Sequence, residues 1–113
     1  MANVTPTPDA KDAADNKVFA ILAYFGILFL IPLLAAKESP FARFHANQGL
    51  ILFLAYIAAW IIAVILGLIS SVLGLIASLL YLGVFILFIL GVLNAAKGEM
   101  KELPLIGTFR LIN

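Results

Sequence analysis

The chain carries a single histidine, His45, inside its one internal polar stretch, KESPFARFHANQG over residues 37–49. Glu38, Arg43, Asn47 and Gln48 surround it with donors and acceptors. A metal centre takes several ligands of suitable type. With no cysteine in the chain, His45 and Glu38 are too thin a set, so no metal is expected. Hydrolytic catalysis needs a nucleophile, a base and an orienting acid within mutual reach, and the apolar runs on either side hold no carboxylate. Proton-coupled transport wants an ionisable group at membrane depth; between Arg43 and Lys97 only His45 offers one near a span. A glycine-rich phosphate loop is absent, and no basic patch is large enough for nucleic acid. These residues predict neither an enzyme nor a cofactor.

Two readings of the 37–49 segment stay open. In one, His45, Asn47 and Gln48 cap the following helix and tie it to the loop and the C-terminal tail. In the other, Lys37, Arg43, His45, Asn47 and Gln48 form a docking surface for a protein partner or a lipid headgroup.

The elements that must position these groups are apolar. Of the 113 residues 65% are hydrophobic and only 12% charged, against about 25% charged in ordinary soluble domains; mean hydropathy is +1.17. A chain this short has too little interior to hide so much apolar surface, so the lipid bilayer is the expected partner. Leu50 to Leu93 contains no charged residue. As one helix it would run about 66 Å, twice the ~30 Å core of a bilayer. It therefore predicts two spans folded at the small-residue cluster Gly67, Ser70, Ser71 and Gly74.

The expected fold is all-α: a polytopic helical membrane protein with about three transmembrane helices, near residues 18–36, 50–68 and 74–94. Residues 1–16 read as a disordered polar leader, 17–107 as the transmembrane helical domain and 108–113 as the end of an interfacial tail. Pro32 is expected to kink or loosen the end of the first span. Ser39-Pro40 signals a helix start. From there Phe41, Phe44, Gln48 and Leu52 share a side, which predicts an amphipathic interfacial segment leading into the second span, with Phe41 and Phe44 in the acyl boundary.

Ala55, Ala59, Ala63, Gly67 and Ser71 recur every fourth residue. Such a ladder of small residues lets helix backbones approach closely in lipid, against another helix of this chain or a second copy. Basic residues near span ends set orientation. With three spans, Lys11 and Lys17 lie on one side and Lys37, Arg43, Lys97, Lys101 and Arg110 on the other. The excess predicts a multi-pass protein of the cell membrane with loop 37–49 and the C-terminus cytoplasmic and the N-terminus outside.

The segment SPFARFHANQGL, followed by a charge-free hairpin and the exit NAAKGEMKELPLIG, resembles a widespread group of small bacterial inner-membrane proteins catalogued as a domain of unknown function. That group is similar to the Tic-twenty component of the chloroplast inner-envelope protein import machinery, and some magnetosome membrane proteins resemble it too. The likeness covers roughly Asn16 to Gly107 and is most specific over Arg43–Gly49. It implies a polytopic helical membrane protein and no enzymatic activity. The leading expectation is a scaffold or accessory subunit working by helix–helix association, as a homo-oligomer or with other membrane proteins. The alternative is a protein-translocation or permeation path enclosed by oligomers and lined by Ser70, Ser71, Ser78, Asn94 and Gln48.

Overall fold

A computed structural model describes residues 9–112; the expected leader lies outside the described residues as far as Pro8. From Ala10 to Ala96 the chain is mainly helical, with no strand among the described residues. Residues expected in the leader form α1 (Ala10–Asp15), whose N-cap is Asp9. Helix α2 (Lys17–Leu22) follows after Asn16.

The apolar run 18–36 is not one helix. It divides into α2, a 3-10 turn (Gly26–Phe29) and α3 (Leu30–Ala35). The break falls at Ala23–Phe25, ahead of Gly26, which adopts φ +64, a left-handed conformation that glycine takes without steric cost. Pro32 was expected to disturb the helix but sits within α3, inside the first turn, where its missing N–H costs no hydrogen bond. Among the described residues two helices, rather than about three, are long and apolar enough to cross a bilayer.

The longer is α4 (Pro40–Ile69), 30 residues, about 45 Å in length. Its start is built as the sequence predicts. Pro40 opens the first turn, and the Ser39 hydroxyl accepts from the Ala42 N–H at 3.0 Å, satisfying one of the orphan donors of a helix N-terminus. There is no separate interfacial segment. Residues 40–49 are the first turns of α4 itself, and Phe41 and Phe44 are buried in the protein instead of entering the acyl boundary.

Helix α4 ends at the extended residue Ser70, and α5 (Ser71–Ala77) turns back, continued after Ser78 by α6 (Leu79–Ala96). The Ser78 hydroxyl donates to the Gly74 carbonyl one turn earlier at 2.9 Å, a back-bond that bends helices. The hairpin closes on glycine: a Cβ on Gly74 would lie 2.7 Å from the Gly67 Cα. Toward this tip large side chains face outward, Leu68 at 84% and Leu75 at 72% exposure. Apolar surface presented all round a helix is a solution for lipid, not water.

The opposite end holds the core. Tyr24, Phe29, Phe41, Phe44, Leu52, Met100 and Leu103 form one buried cluster there. Residues 97–112 fold over it as a tail without regular helix. Helix α1 belongs to the same end. The Asp12 carboxylate accepts from the Ser39 hydroxyl at 2.5 Å and the Phe41 N–H at 3.0 Å, and Ala13 lies beside Gly98. This corrects the expected orientation: α1 and the 37–49 segment cannot lie on opposite faces of a membrane when they share hydrogen bonds.

Candidate functional site

The polar groups converge on the first three turns of α4. His45 is fully buried, enclosed edge-on by Phe41, Phe44 and Tyr24, with ring centroids 4.7, 5.2 and 5.6 Å away. Its Nε2 lies 2.7 Å from the Glu99 carbonyl oxygen. A carbonyl can only accept, so Nε2 carries the proton and donates. Nδ1 is then the acceptor, and the Tyr24 hydroxyl, 2.5 Å away, donates to it. The chain Tyr24 to His45 to Glu99 carbonyl has the shape of a proton relay. It ends on a backbone carbonyl, and Tyr24 is 2% exposed, its side chain bordering an open apolar cleft lined also by Phe53, Tyr56, Tyr81 and Phe88.

Asn47 and Gln48 extend the knot to the tail. Asn47 donates from Nδ2 to the Phe109 carbonyl at 2.7 Å, and its Oδ1 accepts from the Leu111 and Ile112 N–H groups at 2.7 and 3.0 Å. Gln48 donates from Nε2 to the Gly107 carbonyl at 2.9 Å, and its Oε1 accepts from the Leu103 N–H at 2.9 Å. Each carboxamide thus replaces backbone partners that an irregular tail lacks. No buried side-chain nitrogen or oxygen among the described residues is left without a partner, as a low-dielectric interior demands. Arg110 seals the outside: its guanidinium donates to the Gly107 carbonyl, pairs with Glu102 and lies 5.5 Å from the Phe44 ring centre.

Two glycines make the knot possible. A Cβ on Gly49 would sit 1.8 Å from the Ala23 carbonyl oxygen, and one on Gly91 would sit 2.3 Å from the Tyr24 ring. Bare backbone at 49 lets the break in the 18–36 run press against α4. Bare backbone at 91 makes room for the Tyr24 ring on its way to His45.

Of the docking candidates, His45, Asn47 and Gln48 are interior and bound to the chain itself, while Lys37 is exposed and Arg43 partly so, with Nη1 3.5 Å from the Lys37 carbonyl. On the ladder, Ala59 is buried, Ala55 and Ala63 are half-buried, and Gly67 and Ser71 are exposed. Gly67 faces Gly74 of its own chain. The polar residues proposed to line a path do not meet. Ser70 and Ser71 sit at the hairpin tip and Gln48 at the other end, while Asn94 bonds the Lys101 carbonyl at 3.4 Å. Among the described residues no three His, Asp or Glu side chains could jointly hold a metal.

Sequence reasoning passed over Tyr24. It is the one polar side chain in the run 18–36, and a lone hydroxyl in such a run needs a partner. That signal points to it, though not to His45 in particular.

A profile of the magnetosome magnetite crystal formation protein family matches residues 15–112. The magnetosome protein MamF of Paramagnetospirillum magneticum is 36% identical over 92 residues, 81% of this chain and 79% of the relative. A UPF0132 membrane protein of Methanocaldococcus jannaschii is 42% identical over 98 residues, 82% of this chain and 83% of the relative. Another, from Archaeoglobus fulgidus, is 34% identical and covers 73% of this chain. No solved structure matches the chain. With two apolar helices of membrane-spanning length, a knot that closes on itself and matches over nearly the whole described length, the chain belongs to the magnetosome magnetite crystal formation protein family, whose relatives include proteins named only for their place in a membrane.

Proposed function

We propose that the protein is a non-enzymatic accessory subunit or scaffold of the cell membrane, acting by helix–helix association with itself or with other membrane proteins. The observation that carries this reading is the state of the polar knot. Among the described residues every buried side-chain nitrogen and oxygen, those of Tyr24, His45, Asn47 and Gln48 included, is spent on a hydrogen bond within the chain, while the outer faces of α4 and α6 offer large apolar side chains such as Trp60, Ile65, Leu82 and Phe85. In lipid such faces associate through packing, not through a hydrophobic drive, which suits a partner of matched shape. Relatives named for magnetosomes favour a role in organising a membrane compartment, and relatives from the two archaea, named only as membrane proteins, favour a role broader than magnetite.

A photo-crosslinking residue at Trp60, followed by recovery from native membranes in mild detergent and mass spectrometry, tests the proposal. A reproducible crosslink to a second copy or to one membrane protein supports it. A chain that crosslinks only to lipid overturns it. The translocation reading gains nothing from the placement of Ser70, Ser71 and Gln48; flux through vesicles holding the purified protein would restore it.

A further inference from the structure

The 17–36 run reads as a membrane span by composition, yet neither arm of it is long enough to cross. Residues 17–25 make about 13 Å of helix and residues 26–36 about 16 Å, against a core of ~30 Å. Both ends of the run are pinned to one end of the molecule. Before it, Asp12 bonds Ser39 and the Phe41 N–H. After it, Ser39 caps α4. Between these points the chain descends beside the hairpin, where Phe25 meets Phe88 with ring centroids 5.1 Å apart and Phe29 meets Phe53 at 6.1 Å. Phe88 lies about 13 Å along α6 from its C-terminal end, and Phe53 about 20 Å along α4 from Pro40. The run goes part of the way down and comes back. Its break at Ala23–Phe25 is packed against Gly49 and Gly91 of the hairpin, the condition under which non-helical backbone is tolerated at membrane depth.

We infer that residues 17–36 form a re-entrant hairpin, so that both ends of the described chain and the 37–43 segment share the cytoplasmic face and only the tip at Ser70-Ser71 reaches the other side. The charges agree. All seven Lys and Arg, and all six Asp and Glu, fall within residues 9–17, 37–43 and 97–110. The fold brings these three segments together at one end through Asp12–Ser39, Ala13–Gly98, His45–Glu99 and Arg110–Phe44. A three-span path sets two basic residues against five. The re-entrant path sets seven against none, the stronger bias under the rule that basic residues stay in the cytoplasm. It also determines where a water-soluble partner can act: every formal charge available for recognition is on the cytoplasmic face. The inference stands whether or not the scaffold reading holds.

The chain has no cysteine, so single-cysteine variants of the full chain report without background. Ala10→Cys, Ser71→Cys and Thr108→Cys replace exposed residues. A membrane-impermeant maleimide is applied to intact spheroplasts and to inverted membrane vesicles. The expected result is labelling of Ala10→Cys and Thr108→Cys in inverted vesicles only, at least tenfold above spheroplasts, with Ser71→Cys the reverse. Labelling of Ala10→Cys and Thr108→Cys from opposite sides overturns the re-entrant path. All three on one side overturns the spanning hairpin, and both ends labelled from outside overturns the orientation. Should a variant fail to accumulate, a reporter that fluoresces only in the cytoplasm, fused in turn to each end of the unaltered chain, decides the question. Both fusions bright supports the inference, and a dark N-terminal fusion beside a bright C-terminal one overturns it.

Discussion

The two ends of α4 are stabilised by different means. From Pro40 to Leu52 the helix is buried among Tyr24, Phe44 and the tail, and its polar side chains make named hydrogen bonds with fixed partners. From Trp60 to Ile69 it is open on most sides, and at the hairpin tip Gly67 faces Gly74. The first end is specified by direction, since each carboxamide fits one arrangement of the tail. The second is specified by proximity, since lipid competes for every apolar face and only close backbone approach favours the partner helix. A short membrane chain thus obtains a unique structure from polar groups at one end, seated there by the bare backbone of Gly49 and Gly91, and from the Gly67–Gly74 approach alone at the other.

The sharpest way to break this contrast is Gly49→Leu. Its Cβ alone would overlap the Ala23 carbonyl, which is backbone and cannot swing aside. The expected cost exceeds the ~3 kcal/mol typical of overpacking, seen as loss of the folded species in a detergent thermal-unfolding assay. Gln48→Ala should cost about 2–3 kcal/mol, because the Leu103 N–H and Gly107 carbonyl lose their partner inside the fold. Limited proteolysis should show the tail released before the hairpin melts. At the other end Gly74→Ala should cost about 1–2 kcal/mol, while Gly67→Ala, whose Cβ would meet only the Gly74 Cα at 3.8 Å, should leave unfolding unchanged. Gly67→Leu should in turn weaken the hairpin more than Leu66→Ala, because bulk there drives α4 and α5 apart; equal shifts in the same assay would argue against the glycine contact. Smallest of all, Leu68→Ala should fall within about 0.5 kcal/mol, as the side chain faces outward. A large effect there would mean that the far end is held by protein contacts instead.

Much of this frame was legible in the sequence for a physical reason. Ser39-Pro40 marks a helix start because capping and proline chemistry are local, and the turn at Ser70 follows from a charge-free run too long for one crossing. Hydropathy reads side chains alone and is blind to backbone conformation, so the break at Gly26 and the re-entry were hidden inside a run of ordinary span length. The knot was half legible. His45, Asn47 and Gln48 stood out as polar residues at a helix start, and their role as ties was one of two open readings. Their partners are mostly backbone groups of the tail, 54 to 65 residues away, and backbone groups leave no signature in a residue string. Phe41 and Phe44 were misplaced because an amphipathic pattern cannot tell an acyl boundary from a protein interior. The leader expected over residues 1–16 hid α1, because a short polar helix capped by Asp9 and held by contacts with distant residues has no apolar pattern to mark it.

The distance along the chain between Gln48 and its partners, 55 residues to Leu103 and 59 to Gly107, has a consequence for biogenesis. When α4 emerges from the ribosome, the groups that will satisfy Asn47 and Gln48 have not yet been made. Those carboxamides must wait in hydrated surroundings while α5 and α6 are synthesised and threaded. Docking of the tail is therefore the closing step of assembly, and a chain stalled before residue 103 would hold its membrane hairpin with an unlocked, water-wetted mouth.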